Sequence, residues 1–181
     1  VFDSKEVNAF ALPGGKIGIH TGILAVTENQ DQLAAVIGHE VSHVVASHSN
    51  ESLSTAYAAD AAALTAATVV GSSTGSSQLL YAMLGLGAEV GVVLPFSRIQ
   101  EAEADALGVV FMAKAGFDPN QAVVLWQNMP NAGGSAHLSF LSTHPTNSAR
   151  IDQLQEHVDI VLQLLDEADA VLPHPNCGPP P

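Results

Sequence analysis

The sequence predicts an α+β chain, mostly helical, with a small β-sheet or hairpin ahead of its first long helix. Three observations carry that expectation. Two short apolar-rich runs, Asn8 to Leu12 and Lys16 to His20, flank Pro13-Gly14-Gly15, a strong turn signal. Nearly everything after them reads at helical spacing, interrupted by glycine- and serine-rich connections. With 181 residues and 47% hydrophobic content, the chain can bury one sizeable core and is near the usual size of a single domain. Residues 1–172 are therefore expected to form one domain, and 173–181 a proline-rich flexible tail.

The helical elements follow in order. Asn29 or Asp31 caps a proline-free apolar run from Asp31 through Gly38 to His48. Glu51 to Val70 is alanine-rich and helix-compatible, Gly71 to Ser77 is a flexible connection, and Gln78 to Leu94 is a further apolar helix. Ser97 and Gln100 have the spacing of a capping box and open a helix to about Ala115, with Lys114 and Gly116 as end signals. Asp118 and Pro119 suit the N-cap and first turn of a helix to Met129. Asn131 to Ser135 opens a mobile loop extending to about Thr143. The last helix shows Ile151, Leu154, Val158, Val161, Leu162 and Leu165 at helical spacing, a stripe that faces a core.

Composition excludes several roles. The formal charge is −13, from 18 acidic and 5 basic residues, which argues against binding nucleic acid or an anionic membrane surface through charge. Residues 56–94 are unusually apolar, but a bilayer span takes about 20 consecutive apolar residues. Asp60, the glycine and serine run, and Glu89 interrupt this stretch, so it is expected to pack beside other helices. The single cysteine, Cys177, excludes an intramolecular disulfide, and with His174 it offers too few ligands for a metal site. The chain begins with Val1 and not methionine, so an N-terminal region is expected upstream.

The chemistry is concentrated in Gly38-His39-Glu40-Val41-Ser42-His43. On a helix, positions i and i+4 lie on one face about 5–6 Å apart at Cβ, so His39 and His43 can bind one ion. Glu40 can reach a water on that ion without being a ligand, as the HExxH pattern requires. Two histidines and a glutamate are costly on an apolar, buried helix unless something pairs with them, and a metal would do so. The plain alternative is two satisfied core histidines. A catalytic zinc takes three protein ligands and keeps one open position, so a further ligand is needed. Glu101 and Asp105 share a face of the helix that Ser97 opens: Glu101 can ligate while Asp105 accepts the free ring N–H of a ligating histidine. Glu103 points elsewhere, and the plain reading of all three is a solvated acidic face.

His39-Glu40-x-x-His43 followed by Glu101-x-x-x-Asp105 resembles the gluzincin metallopeptidases of the CAAX prenyl-protease type, especially their soluble bacterial envelope branch, the BepA and LoiP group. Val7 to Gly15 resembles the strand and turn that precede the metal-binding helix in that family, and Thr143-His144-Pro145 with Arg150-Ile151 resembles its late histidine and arginine motif. The resemblance covers most of residues 7–151 and implies a zincin-like catalytic domain holding one zinc ion per chain. It implies that Glu101, not Glu103, completes the ligand set with His39 and His43. It further implies a zinc endopeptidase of envelope quality control in the periplasm of a Gram-negative cell. The implied substrates are unfolded or misfolded polypeptides, and a lipid anchor on the upstream region would fit the same picture.

The roles divide accordingly. Zinc acidifies a water and polarises the scissile carbonyl. Glu40 takes the proton and passes it to the leaving amine, and His144 or Arg150 assists as an oxyanion donor. His144 has two other roles open to it. It can close the site as a fourth ligand, which would make the chain a zinc-bound chaperone or binding module, or it can act as a gate that withdraws. His20 and His48 are left as structural residues. The Lys16 to His20 strand is either an edge that pairs with extended substrate or a structural cover for the core.

Overall fold

The computed structural model describes residues 1–12, 14–55, 57–58, 96–132, 139–169 and 172–178. The apolar stretch at 56–94 falls outside the described residues apart from 57–58, and with it all of the helix expected over Gln78–Leu94 and most of the one expected over Glu51–Val70, of which 51–55 and 57–58 are described and helical. Among the described residues, no helix is long and apolar enough to cross a membrane.

The α+β expectation holds. Gly14 and Gly15 take φ of +88° and +80°, conformations that cost a side-chain-bearing residue dearly. They return β1 (Ala9–Leu12) as the antiparallel β2 (Lys16–Ile19), in register from Ala9↔Ile19 to Leu12↔Lys16. The outer edge of β2 is not wholly free. The Phe2 N–H donates to Ile19 O at 2.7 Å and the Thr21 N–H to Phe2 O at 2.9 Å, so the chain's own start covers the His20 end. A 3₁₀ turn over Thr21–Ala25 then leads to the helices.

Helix α1 (Gln30–Val45) begins under Asn29, whose side chain accepts the Gln32 N–H. It stops sooner than the expected His48. Ser47 sits at φ +59°, in the left-handed region, and the chain turns before becoming helical again over residues 48–55. Helix α2 (Arg98–Lys114) carries the full Ser97–Gln100 capping box and ends at Gly116, with φ +83°. Helix α3 (Asn120–Ala132) starts where Asp118 Oδ1 accepts the Asn120 N–H, and it runs through Pro130, past the expected end. The expected loop to Thr143 is in its last part a short helix, α4 (Ser139–Thr143). It is fixed there because Phe140 is fully buried and its N–H donates to Val7 O. Helix α5 (Ser148–Glu167) is capped by Asn147 and buries Leu154 and Val158 from the expected stripe.

Two contacts place these parts. The core of Val7, Ile23, Val36, Met112, Leu125, Met129, Phe140 and Leu154 joins the hairpin to the helices. Helices α1 and α2 meet at Gly38 and Gly108, where a Cβ on Gly38 would lie 3.1 Å from Gly108 O and one on Gly108 3.2 Å from His39 N. This close approach brings the face of α2 bearing Glu101 and Asp105 against the face of α1 bearing His39 and His43. The tail over 172–178 is largely exposed, as expected, but tethered: Gly116 O lies 3.0 Å from His174 Nδ1, and the Cys177 N–H donates to Gln30 Oε1 at 2.8 Å.

Candidate metal centre

Helical spacing puts His39 and His43 side by side on α1, and α2 supplies Glu101 opposite them. His144, in the connection after α4, completes the group. One donor atom from each of these four buried residues lies within 4.8 Å of the others. His39 Nε2 is 3.1 Å from both His43 Nε2 and His144 Nδ1. Glu101 Oε1 is 3.4 Å from His43 Nε2 and 2.9 Å from His144 Nδ1, and Glu101 Oε2 is 3.4 Å from His39 Nε2. Aromatic rings hold the imidazoles in place. Phe96 stacks on His43 at 3.9 Å between centroids, and Trp126 and Phe140 meet His39 edge-on.

These donors fit a tetrahedral cation. Zinc bonds of about 2.0–2.1 Å place neighbouring ligand atoms roughly 3.3–3.4 Å apart, close to the separations found here. Without an ion, imidazole lone pairs and a carboxylate oxygen converge in a buried space, an arrangement stable only if protons take the ion's place. Glu40 is 1% exposed, and its Oε1 has no hydrogen-bond partner, with His144 Nε2 3.2 Å away but out of alignment. A buried carboxylate oxygen without a donor, next to converging ligands, is placed to receive a proton from whatever enters the site.

Proton affinities follow from the same crowding. Burial pulls the His39 imidazole down, but the Asp105 and Glu101 carboxylates outweigh it and hold its pKa at about 9. Burial dominates at His43 and lowers it to about 4, with the neighbouring His39 and His144 charges adding to the effect. His144 is raised because Glu101 and Glu40 outweigh its burial. Glu101 and Asp105 would be raised by burial, yet the histidines around Glu101, and Arg150 with His39 around Asp105, hold both below the usual carboxylate range. The metal-free centre near neutral pH thus favours the imidazolium form of His39 and the neutral, singly protonated form of His43, and zinc must displace the Nε2 proton of His39.

Around the centre, Asp105 Oδ1 lies 3.0 Å from His39 Nδ1, where the sequence reading placed it. Arg150 does something different from the expected oxyanion donation. Its Nε–H and Nη2–H donate to the two oxygens of Asp105 at 2.7 and 2.9 Å, and Nη1 donates to Pro145 O at 2.8 Å. Nη1 is also 2.6 Å from Glu101 Oε2, and the guanidinium lies 4.1 Å over the Trp126 ring. This buried guanidinium turns four of its five N–H groups to two carboxylates and a backbone carbonyl. It acts as a clamp, and removing it would strand two buried charges at a cost of about 3–5 kcal/mol. Glu103 stays outside the cluster with its side chain 57% exposed.

One neighbour escaped sequence reasoning. His48 is buried behind His43, Nδ1 to Nδ1 at 2.9 Å. A helix continued to His48 would place it about 140° around the axis from His43. The turn at Ser47 brings it back, and the serine itself gives no signal of that.

Residues 1–158 match the profile of peptidase family M48. The chain is 42% identical over 151 residues to the mitochondrial metalloendopeptidase OMA1 of Schizosaccharomyces pombe, covering 82% of this chain and 43% of that protein. It is 30% identical over 193 residues to the beta-barrel assembly-enhancing protease of Yersinia pestis, covering 97% and 35% respectively. Against metalloprotease YcaL of Escherichia coli, identity is 28% over 160 residues, covering 87% and 61%. The chain thus spans less than half the length of the first two.

The geometry separates two acidic neighbours on α2. Glu101→Ala is expected to lose most bound zinc, whereas Glu103→Ala binds it stoichiometrically at saturation. Metal analysis of the two purified variants checks this, and equal zinc contents would remove Glu101 from the ligand set.

Proposed function

The chain belongs to peptidase family M48, a family of zinc metallopeptidases, and on that premise we propose that it is an endopeptidase that hydrolyses peptide bonds in unfolded or misfolded polypeptides. The observation that carries the proposal is the convergence of four donor atoms beside the unpaired Oε1 of Glu40. Residues 1–172 form the catalytic domain in this reading. His39, His43 and Glu101 hold the ion, and Asp105 and Arg150 position them.

Zinc, when bound, acidifies a water and polarises the scissile carbonyl. Glu40 takes the water's proton and delivers it to the leaving amine. Asp105 keeps the His39 ring turned with Nε2 toward the centre, and Arg150 neutralises the carboxylates that would otherwise repel each other there. Substrate lies extended along the Lys16–Ile17 end of β2, the part of that edge left without a main-chain partner among the described residues. Beside it, Leu12, Gly14, His43, Val44, Ser47 and Asn50 line a groove of about 190 Å³ that can receive a side chain next to the centre.

His144 is the gate of this site. Its Nδ1 stands among the other ligand atoms and its Nε2 beside Glu40, so in the position described it fills the place a water would take. The same observation supports the second reading, a zinc-bound chaperone whose site stays closed, because four protein ligands leave no open position. The compartment is read from the relatives. The bacterial proteases support a periplasmic, envelope quality-control role, while the 42% identity to a mitochondrial metalloendopeptidase carries the alternative of a mitochondrial one. Fractionation of the host cell separates the two.

Two variants test the chemistry. Glu40→Gln is expected to keep its zinc and lose about 10²–10⁴-fold in turnover of an unfolded protein, since the amide cannot take a proton. Loss of the metal in that variant would make Glu40 a ligand and overturn the scheme. His144→Ala is expected to raise turnover and self-cleavage, because the gate is removed. A lower kcat at unchanged KM would instead make His144 an oxyanion donor, and unchanged activity would dismiss both roles.

A further inference from the structure

His48 is 1% exposed and has no part in the reaction just described. Three features tie it to the centre. Its Nδ1 is 2.9 Å from His43 Nδ1, with the two rings crossing edge to face at 4.9 Å between centroids. On its far side, His48 Nε2 is 3.3 Å from Glu103 Oε2. The turn that carries it is held by Gln100, whose side-chain N–H donates to Glu51 Oε2 at 2.7 Å and reaches His48 O at 3.5 Å. The same Gln100 accepts the Ser97 N–H in the capping box of α2, so the start of α2 and the turn after α1 are held as one unit.

Two ring nitrogens this close cannot both present lone pairs; one must donate. If His43 offers Nε2 to the ion, its own proton is on Nδ1, and His48 Nδ1 is the acceptor. The proton of His48 is then on Nε2, facing Glu103. We propose that His48, backed by Glu103, is a positioning residue that fixes His43 in the Nδ1–H tautomer and the ring orientation needed to bind zinc through Nε2. It does for His43 what Asp105 does for His39, but with a neutral acceptor in place of a carboxylate. The left-handed Ser47 is what makes this possible, since it returns the His48 ring to the face of α1 that bears His43. The proposal rests on the zinc site assigned above.

The test compares His48→Gln with His48→Met in the full chain. The two side chains are close in size, but only glutamine can accept the His43 Nδ1–H. Zinc affinity is read by competition with a chromophoric chelator, ligand geometry by the visible spectrum of the cobalt-substituted protein, and folding by the unfolding midpoint of the metal-free chain. His48→Met is expected to weaken zinc binding by about 10–100-fold and to alter the cobalt spectrum, whereas His48→Gln retains most of the affinity. Glu103→Ala, at an exposed side chain that does not threaten folding, is expected to weaken binding in the same direction by a smaller factor. Equal affinities for the glutamine and methionine variants would reduce His48 to packing and overturn the proposal, as would unchanged affinity in Glu103→Ala if His48→Met fails to fold. An unsubstituted chain that takes up no zinc would overturn the site itself, and this proposal with it.

Discussion

The structure depends on one unfavourable act, the burial of the imidazoles of His39, His43 and His144 with the carboxylates of Glu40, Glu101 and Asp105 at one point between α1 and α2. Groups of this kind are stable in an apolar interior only when each lone pair meets a proton or a cation. The surrounding architecture supplies those partners. Gly38 and Gly108 let the two helices approach closely enough for Glu101 to stand among the histidine nitrogens. Arg150 reaches in from α5 to meet both Asp105 and Glu101, and its stacking on Trp126 holds it there. The fold therefore does more than display a motif, because every helix around the centre contributes a group that makes the burial tolerable.

The same crowding splits the two histidines of the motif. His39 faces carboxylates on two sides and holds a proton up to a pKa of about 9, while His43 is pushed down to about 4. The sign of the first shift means that the proton on His39 stabilises the metal-free chain fully below the usual histidine pKa. That contribution is lost as pH rises through 9, while competition with zinc relaxes over the same interval. His43 acts oppositely: its neutral form is the one the fold favours, so stability falls as pH drops from the usual histidine value toward 4. Their outer partners differ as well, the Asp105 carboxylate behind one ring and the His48 imidazole behind the other.

What was legible in the sequence is what is local. The spacing of His39 and His43, the Ser97–Gln100 box, the Asn29 cap and the Gly14-Gly15 turn are each determined within one or two helical turns, and the structure has the helices and hairpin where those signals place them. Spacing placed Glu101 and Asp105 on one helical face, and that Glu101 joins the histidines was what the family resemblance implied. What escaped depends on tertiary contacts. The left-handed turn at Ser47 hides His48 from any periodic reading, and Arg150 was expected as an oxyanion donor because nothing in the sequence shows two carboxylates converging on it. The short helix at Ser139–Thr143 forms where a loop was expected because Phe140 finds a fully buried seat, and the proline-rich tail is tethered because Gln30 offers its side chain.

The central claim is that His39, His43 and Glu101 hold one zinc ion, with His144 closing the fourth position when no substrate is bound. X-ray absorption at the zinc edge, on the zinc-loaded chain without substrate, tests it most directly. A four-coordinate shell of nitrogen and oxygen at about 2.0–2.2 Å, with scattering from three imidazoles, is the result this account predicts. A sulfur neighbour, which would place the ion at Cys177, or a six-coordinate oxygen shell with fewer than two imidazoles would contradict it.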